Sequence, residues 1–210
     1  MHNNEFSVKM LRISGILQGG LTAILWLLLI YGFDEPHVAG LTILAALIHE
    51  GGHLLVGLML SGGGVRFIGR LNGPRLAGVR STSYKEDILL LASGPLMNIL
   101  GASLALPFLR LGGASGYAES FAVLNIATAI SNLLPVAGRD GYGIIEAVIS
   151  MRECGGSAHR VLRGVSIGIS VLGCALALYL MERIGESFWL FFVFYFSALS
   201  ELSESLKRKF

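Results

Sequence analysis

Two histidines and a glutamate form the part of this sequence that is best equipped for chemistry. His49, Glu50 and His53 make an H-E-x-x-H motif. Residues four apart share one face of a helix, so both imidazoles can converge on one metal ion. Glu50 is then placed to take a proton from a water molecule that the ion activates. The spacing therefore predicts a catalytic metal site.

The motif lies in an apolar stretch that is long enough to cross a membrane. Between Glu35 and Arg66, Glu50 is the one Asp, Glu, Lys or Arg residue. A carboxylate in a membrane span costs about 2.5–3.5 kcal/mol on insertion scales, and such residues usually have a function. The plainer interpretation is that the three side chains are hydrogen-bonded inside a helical bundle, and it accounts less well for the spacing.

The third protein ligand has to come from elsewhere, because a catalytic zinc site typically uses three protein ligands plus water. The aspartates are Asp34, Asp87 and Asp140. Asp140 follows a helix break at Pro135 and Gly138, and irregular backbone at membrane depth is tolerated where it lines a cavity. We favour Asp140 as the ligand over the alternative that it only caps the next helix.

Composition places these residues in a membrane protein. The 210 residues are 53% hydrophobic and 14% charged, whereas about 25% charge is usual in a soluble domain. We predict an all-α polytopic membrane protein with about six spans of roughly 20 residues each. The predicted spans are 13–33, 37–60, 88–109, 117–136, 164–181 and 187–202, with a short amphipathic helix over 142–152.

The distribution of positive charge orients this bundle. With both termini inside, 14 of the 16 lysines and arginines lie on the inner side, and only Arg110 and Arg183 lie outside. Cytosolic segments carry an excess of Lys and Arg. We therefore expect a multi-pass protein of a cell membrane, bacterial by this interpretation, with both termini and the opening of the site facing the cytosol.

A Gly- and Arg-rich segment over 65–83 follows the second predicted span. Its alternation of apolar and basic residues favours short strands over a helix. One hypothesis is that an open sheet edge pairs with an extended substrate, through Phe67, Ile68, Gly69, Arg70 and Leu71. The alternative, a solvated cytosolic loop, is equally compatible with the sequence.

Three motifs in order make the sequence resemble the site-2 proteases, a family of intramembrane zinc metalloproteases. They are the H-E-x-x-H motif at 49–53, S-G-P-L-M-N at 93–98, and N-L-L-P at 132–135 followed by Asp140-Gly141. The resemblance implies that His49, His53 and Asp140 bind one Zn²⁺ per chain and that Glu50 activates water. It also implies that Asn132 orients the substrate carbonyl or stabilises its oxyanion.

We expect the S-G-P-L-M-N motif to have mainly a structural role. Glycine permits close contact between helices in lipid, and an asparagine amide can bridge them. Gly94 and Pro95 are therefore expected to be packing positions. Asn98 is expected to support a metal ligand.

The compact layout most resembles the sporulation-type branch of that family. This resemblance implies regulated intramembrane proteolysis of a membrane-tethered protein, such as a transcription factor precursor. Inhibitory or regulatory membrane proteins and the lipid bilayer are the expected partners, and no nucleic acid is. Neither a PDZ domain nor a nucleotide-sensing domain is visible, so we expect a single membrane-embedded domain over 1–210.

Three other interpretations compete with this one. A different membrane zinc protease would take its third ligand from a later glutamate, Glu146 or Glu153. A catalytically silent scaffold or transporter could retain the motif for stability. A serine protease could use the Gly-x-Ser-Gly at Ser115, but its histidine would have to be His159, which lies in a basic stretch.

Overall fold

The computed structural model describes residues 36–61, 66–70, 73–77, 83–110, 115–184 and Tyr195. Five α-helices and one hairpin make up this part of the chain. They are α1 (Pro36–Ser61), β1 (Arg66–Arg70), β2 (Gly73–Ala77), α2 (Tyr84–Ala105), a 3₁₀ helix (Leu106–Arg110), α3 (Ser115–Leu133), α4 (Asp140–Met151) and α5 (Gly156–Ile184).

The helical fold confirms the prediction of an α-helical membrane protein. In the described ranges, three helical segments are long and apolar enough to cross a membrane: Pro36–Ser61, Tyr84–Leu109 and Gly156–Leu180. They correspond to the second, third and fifth predicted spans. Helix α3 corresponds to the fourth but is not among these three segments, and it carries Glu119, Asn125 and Asn132. The predicted spans 13–33 and 187–202 lie outside the described residues, apart from Tyr195.

Several helix boundaries differ from the prediction, and two of the differences have a clear local cause. Helix α2 begins before residue 88, because the Ser83 side chain caps it and accepts a hydrogen bond from the Glu86 backbone N–H at 3.3 Å. Helix α3 ends at Leu133 rather than 136, since Pro135 disfavours helical backbone in the residue before it. Helix α5 begins at Gly156 rather than 164. Its first two turns are polar, so the predicted span, which rests on hydropathy, does not include them.

The predicted strands in the segment after α1 are present. Strands β1 and β2 pair antiparallel, from Arg66 opposite Ala77 to Arg70 opposite Gly73. Strand β2 also contacts α1. Of the residues proposed for substrate pairing, Phe67, Ile68, Gly69 and Arg70 lie in β1, and Leu71 lies outside the described residues.

Helix α2 is the central element of the described bundle, since it contacts α1, α3 and α4. The buried apolar residues are mostly alanines, and the large apolar side chains are mostly exposed, among them Leu47, Leu104 and Leu172. Small residues let helices approach closely where lipid, rather than water, surrounds the bundle. The arrangement is therefore the one expected of helices in a bilayer.

The adjacent glycines Gly51 and Gly52 of α1 have different surroundings. A Cβ atom on Gly52 would lie 2.5 Å from the Ser93 carbonyl oxygen and 2.7 Å from Met97 Cγ, whereas one on Gly51 would meet no described atom within 4 Å. Of the two glycines, Gly52 is therefore the one at which α1 and α2 come into close contact. Helices α1 and α2 pack backbone to backbone there, beside the two histidines.

We expect Gly52→Ala to lower the stability of the protein and Gly51→Ala to raise or maintain it. The added methyl at Gly52 must push α2 away, and overpacking of this kind typically costs about 1–3 kcal/mol. At Gly51 the same change replaces a helical glycine by alanine, which stabilises a helix by up to about 1 kcal/mol. Thermal unfolding of both variants in detergent checks this. Equal melting temperatures for the two would contradict the described packing.

Candidate metal centre

The structure brings His49, His53 and Asp140 together in one buried group that could hold a metal ion. Asp140 Oδ2 lies 3.1 Å from His49 Nε2 and 3.4 Å from His53 Nε2. The two Nε2 atoms lie 3.2 Å apart. Residues about 90 positions apart in the sequence thus present three ligand atoms to one point.

Helix geometry explains this convergence. The histidines are one turn apart on the face of α1 that packs against α2, and both are buried. Asp140 is the first residue of α4, reached through the break that follows α3. The residue in the N-cap position of α4 is Arg139, and it makes no side-chain capping bond. The alternative that Asp140 serves only as a helix cap is therefore not what the structure shows.

The tautomer of His49 is set by Asn98. The Asn98 Nδ2 group donates to the Ala45 carbonyl oxygen and to Asn125 Oδ1, both at 2.8 Å. Its Oδ1 atom therefore faces His49 Nδ1, at 2.8 Å, as an acceptor. Because this bond needs the proton on Nδ1, the Nε2 atom of a neutral His49 carries a lone pair toward Asp140.

Asn125 completes this network, and no role was predicted for it from the sequence. Its Nδ2 group donates to the Phe121 carbonyl oxygen at 2.9 Å, which leaves Oδ1 to accept from Asn98. Both asparagines are fully buried. The signal that could have identified Asn125 is its position within an apolar helix, where a buried amide must find a partner.

The backbone of α2 sets the tautomer of His53. His53 Nδ1 lies 2.8 Å from the Leu90 carbonyl oxygen, which can only accept. Ser93 Oγ lies 3.3 Å from the same nitrogen and donates to the Leu90 oxygen at 2.6 Å. His53 Nδ1 therefore carries the proton, and His53 Nε2 also turns a lone pair toward Asp140.

When both imidazoles are neutral, these contacts leave three electron-pair donors facing one another. Asp140 Oδ2 is buried and has no hydrogen-bond partner among the described residues. Such an arrangement is unfavourable by itself, and a cation between the three atoms would relieve it. A tetrahedral zinc ion with bonds of about 2.0–2.1 Å separates its ligand atoms by about 3.3 Å, close to the distances found here. The residues fit a zinc ion.

Gly94 lets α2 pass directly beside the imidazoles. A Cβ atom there would lie 2.5 Å from His53 Nε2 and 2.8 Å from His49 Cε1. Pro95, the next residue of α2, is fully buried. Of the S-G-P-L-M-N motif, Gly94 thus borders the metal group directly, Ser93 contacts His53, and Asn98 contacts His49.

The remaining sequence candidates lie around this group. Glu50 follows His49 in α1 and is half-buried. Asn132 donates from Nδ2 to the Thr128 carbonyl oxygen at 3.0 Å and accepts at Oδ1 from Arg139 Nη1 at 2.9 Å. Burial lowers the pKa of the Arg139 guanidinium from its ordinary value, but an arginine stays charged in proteins. A cation therefore lies beside Asn132.

The residues on which the competing interpretations depend are not part of the group formed by His49, His53 and Asp140. Glu146 is exposed on α4, and Glu153 is exposed in the turn before α5. Ser115 begins α3, and His159 lies in the first turns of α5. Within the described ranges, the one group of three or more His, Cys, Asp or Glu residues with the geometry of a metal site is His49, His53 and Asp140.

We expect Asn98→Ala to weaken metal binding by about 10–100-fold, the usual effect of removing the hydrogen-bond partner of a metal-bound histidine. The change frees His49 to rotate and to shift its proton to Nε2. Competition with a zinc chelator measures the affinity. Ser103→Ala is the control on the same helix, because Ser103 is exposed and its hydroxyl donates to the Ile99 carbonyl oxygen within that helix. Unchanged affinity in Asn98→Ala would contradict the assigned tautomer.

Comparison with known proteins identifies the fold. The chain is similar to the Site-2 Protease from Methanocaldococcus jannaschii, with a TM-score of 0.64, 19% sequence identity and coverage of 88% of each chain. At this identity the likeness is one of fold. No family model matches the sequence, and no curated protein does.

Proposed function

We propose that the protein is an intramembrane zinc metalloprotease of the site-2 type. The observation that carries this proposal is the convergence of His49 Nε2, His53 Nε2 and Asp140 Oδ2 on one point, among apolar helices and beside a glutamate. The fold shared with a site-2 protease supports it. The substrate would be a membrane-tethered protein, cleaved at a peptide bond within or near the bilayer.

His49 and His53 of α1 and Asp140 of α4 would hold one zinc ion. When bound there, zinc supplies a Lewis acid that lowers the pKa of water and polarises the scissile carbonyl. The buried hydrogen bonds from the two Nδ1 atoms to Asn98 and Leu90 keep the imidazoles oriented for this task.

Glu50 would act as general base and then as general acid. In this role its carboxylate takes a proton from the attacking water and delivers it to the leaving amine. Its position next to His49, with a side chain that is only half-buried, suits proton exchange with a water that enters the site.

Asn132 would orient the substrate carbonyl. Its amide now bonds to Thr128 and Arg139, so this role requires Asn132 to exchange at least one of those bonds for the substrate. The positive charge of Arg139 would then favour the negative charge that develops on the carbonyl oxygen.

The wider role follows from the same proposal. Cleavage would release a cytosolic portion of the substrate, such as a transcription factor precursor, under the control of inhibitory or regulatory membrane proteins. We place the protein in a bacterial cell membrane with both termini and the site opening toward the cytosol. The fold comparison gives no preference for the sporulation-type branch, so that branch rests on the compact layout alone.

Chelation and zinc repletion test the proposal. Zinc-loaded protein in liposomes is incubated with a panel of single-span proteins tagged at both ends, and mass spectrometry locates any cut. We expect cuts within or near the span that disappear with 1,10-phenanthroline and return with added Zn²⁺. Cleavage that persists after the zinc is removed, or none from fully loaded protein, would contradict the proposal.

A further inference from the structure

The turn over 134–139 presents Asp140 to the histidines, and its conformation fixes where the carboxylate lies. Inside the turn, the Val136 N–H donates to the Leu134 carbonyl oxygen at 2.8 Å and the Arg139 N–H to the Val136 carbonyl oxygen at 3.0 Å. Gly138 has a φ of 87°, which few residues other than glycine adopt. The turn therefore has one defined backbone conformation.

One backbone donor of this turn is satisfied from a distant helix. The Ala137 N–H donates to Ser166 Oγ at 2.9 Å, across 29 positions of sequence. Ser166 lies on α5, and none of its surface is exposed. A buried backbone N–H without a partner is costly, so the hydroxyl holds the turn against α5.

We propose that Ser166 is a positioning residue for the metal centre. By accepting from Ala137, it fixes the turn three residues before Asp140 and so sets the approach of Oδ2 to the two Nε2 atoms. This inference rests on the proposed function, since it assigns Ser166 a purpose only if Asp140 is a metal ligand. It adds α5 to the elements that shape the site, although α5 contributes no ligand.

Close packing holds the two ends of the turn, and the hydrogen bond to Ser166 holds its middle. A Cβ atom on Gly141 would overlap the backbone of Leu133, so the end of α3 and the start of α4 are in direct contact. Ser166 restrains the same segment from the side of α5. Loss of that restraint is therefore expected to shift the turn, and with it the carboxylate of the adjoining residue.

The chain offers a matched control one turn along α5. Ser170 is buried like Ser166, but its hydroxyl has no hydrogen-bond partner among the described residues. Ser170→Ala removes the same atom from the same helix without releasing a backbone donor. A general effect of deleting a buried hydroxyl from α5 would appear in both variants, and an effect through the turn only in Ser166→Ala.

Cobalt titration tests this role without a substrate. Co²⁺ binds to sites of this kind, and its visible spectrum reports the arrangement of the ligands. For Ser166→Ala in detergent we expect about tenfold weaker Co²⁺ binding and an altered spectrum. Ser170→Ala should match the wild type, and Ser166→Thr, which keeps an oxygen on Cβ, should recover the wild-type spectrum. Should the alanine variant not fold, Ser166→Cys, a weaker acceptor of similar size, should show the same losses.

Each outcome bears on a different claim. Wild-type affinity and spectrum in Ser166→Ala, or in Ser166→Cys where that variant replaces it, would overturn the role of Ser166 and leave the metal site standing. Equal losses in Ser166→Ala and Ser170→Ala would overturn it as well, since the effect would then belong to α5 packing. A wild-type protein that binds no Co²⁺ would overturn both this inference and the proposed function.

Discussion

Glu50→Gln is expected to abolish cleavage while leaving one zinc ion bound per chain. The substitution keeps the size of the side chain but removes the carboxylate that we propose takes the proton from water. Proton transfer by a positioned side chain typically contributes about 10²–10⁴-fold to the rate, so turnover should fall by at least that factor. None of the three ligand atoms is changed, and metal content should therefore stay at the wild-type level.

The matched control for this prediction is Glu119→Gln. Glu119 is exposed on α3, so the same change of charge there should leave both cleavage and zinc content unaffected. The assay is cleavage of one validated substrate by equal amounts of zinc-loaded protein, with the metal measured on the same samples. A Glu50→Gln variant that cleaves at the wild-type rate would exclude Glu50 as the catalytic base.

Asp140→Ala is expected to lose the metal. It removes one of the three proposed protein ligands, and the affinity for zinc should fall by more than the roughly 10–100-fold that loss of a supporting hydrogen bond costs. Glu146→Ala is the control on α4, where Glu146 is exposed, and it should retain zinc. Retention of zinc in Asp140→Ala together with its loss in Glu146→Ala would favour the competing site with a glutamate ligand.

The same variant has a second expected consequence, for the metal-free protein. Asp140 Oδ2 is buried and lacks a hydrogen-bond partner among the described residues, and a group of this kind destabilises a fold. Without zinc, Asp140→Ala should therefore unfold at a temperature equal to or above that of the wild type. With zinc, the wild type should be the more stable of the two, because binding to the native state alone stabilises it.

His49, His53 and Asp140 could be predicted from the sequence because each is marked by features of its own short segment. The spacing of His49 and His53 defines a helix face, and the break at Pro135 marks Asp140 as unusual before any fold is known. The structure shows that these side chains meet. It also shows paired strands in the segment after the H-E-x-x-H helix, where alternation had predicted them.

What the sequence could not supply are contacts that depend on how helices pack. Asn125 contacts Asn98 because α2 and α3 pack against each other at these two residues. This contact orients the Asn98 amide and so determines which nitrogen of His49 carries the proton. Likewise, Ser166 reaches Ala137 across 29 positions, a distance that no periodic pattern encodes. The hydrogen-bond partners of the ligands were therefore harder to predict than the ligands.

The boundaries of the helices were uncertain for a related reason. Hydropathy locates the apolar part of a helix, whereas capping and proline decide its ends. The capping bond from Ser83 extends α2 backward, and Pro135 shortens α3. Among the described residues, Gly52 has the backbone of another helix against it and Gly51 does not, a difference that depends on how the helices pack.

The central claim is that two imidazoles and one carboxylate hold a single zinc ion, and zinc X-ray absorption of the loaded wild-type protein tests it most directly. The account predicts about one zinc per chain, with a spectrum fitted by two imidazole nitrogens and by oxygen at about 2.0–2.2 Å. A spectrum that shows sulfur in the coordination shell, or fewer than two imidazoles, would contradict this claim. A protein that takes up no zinc would contradict it as well.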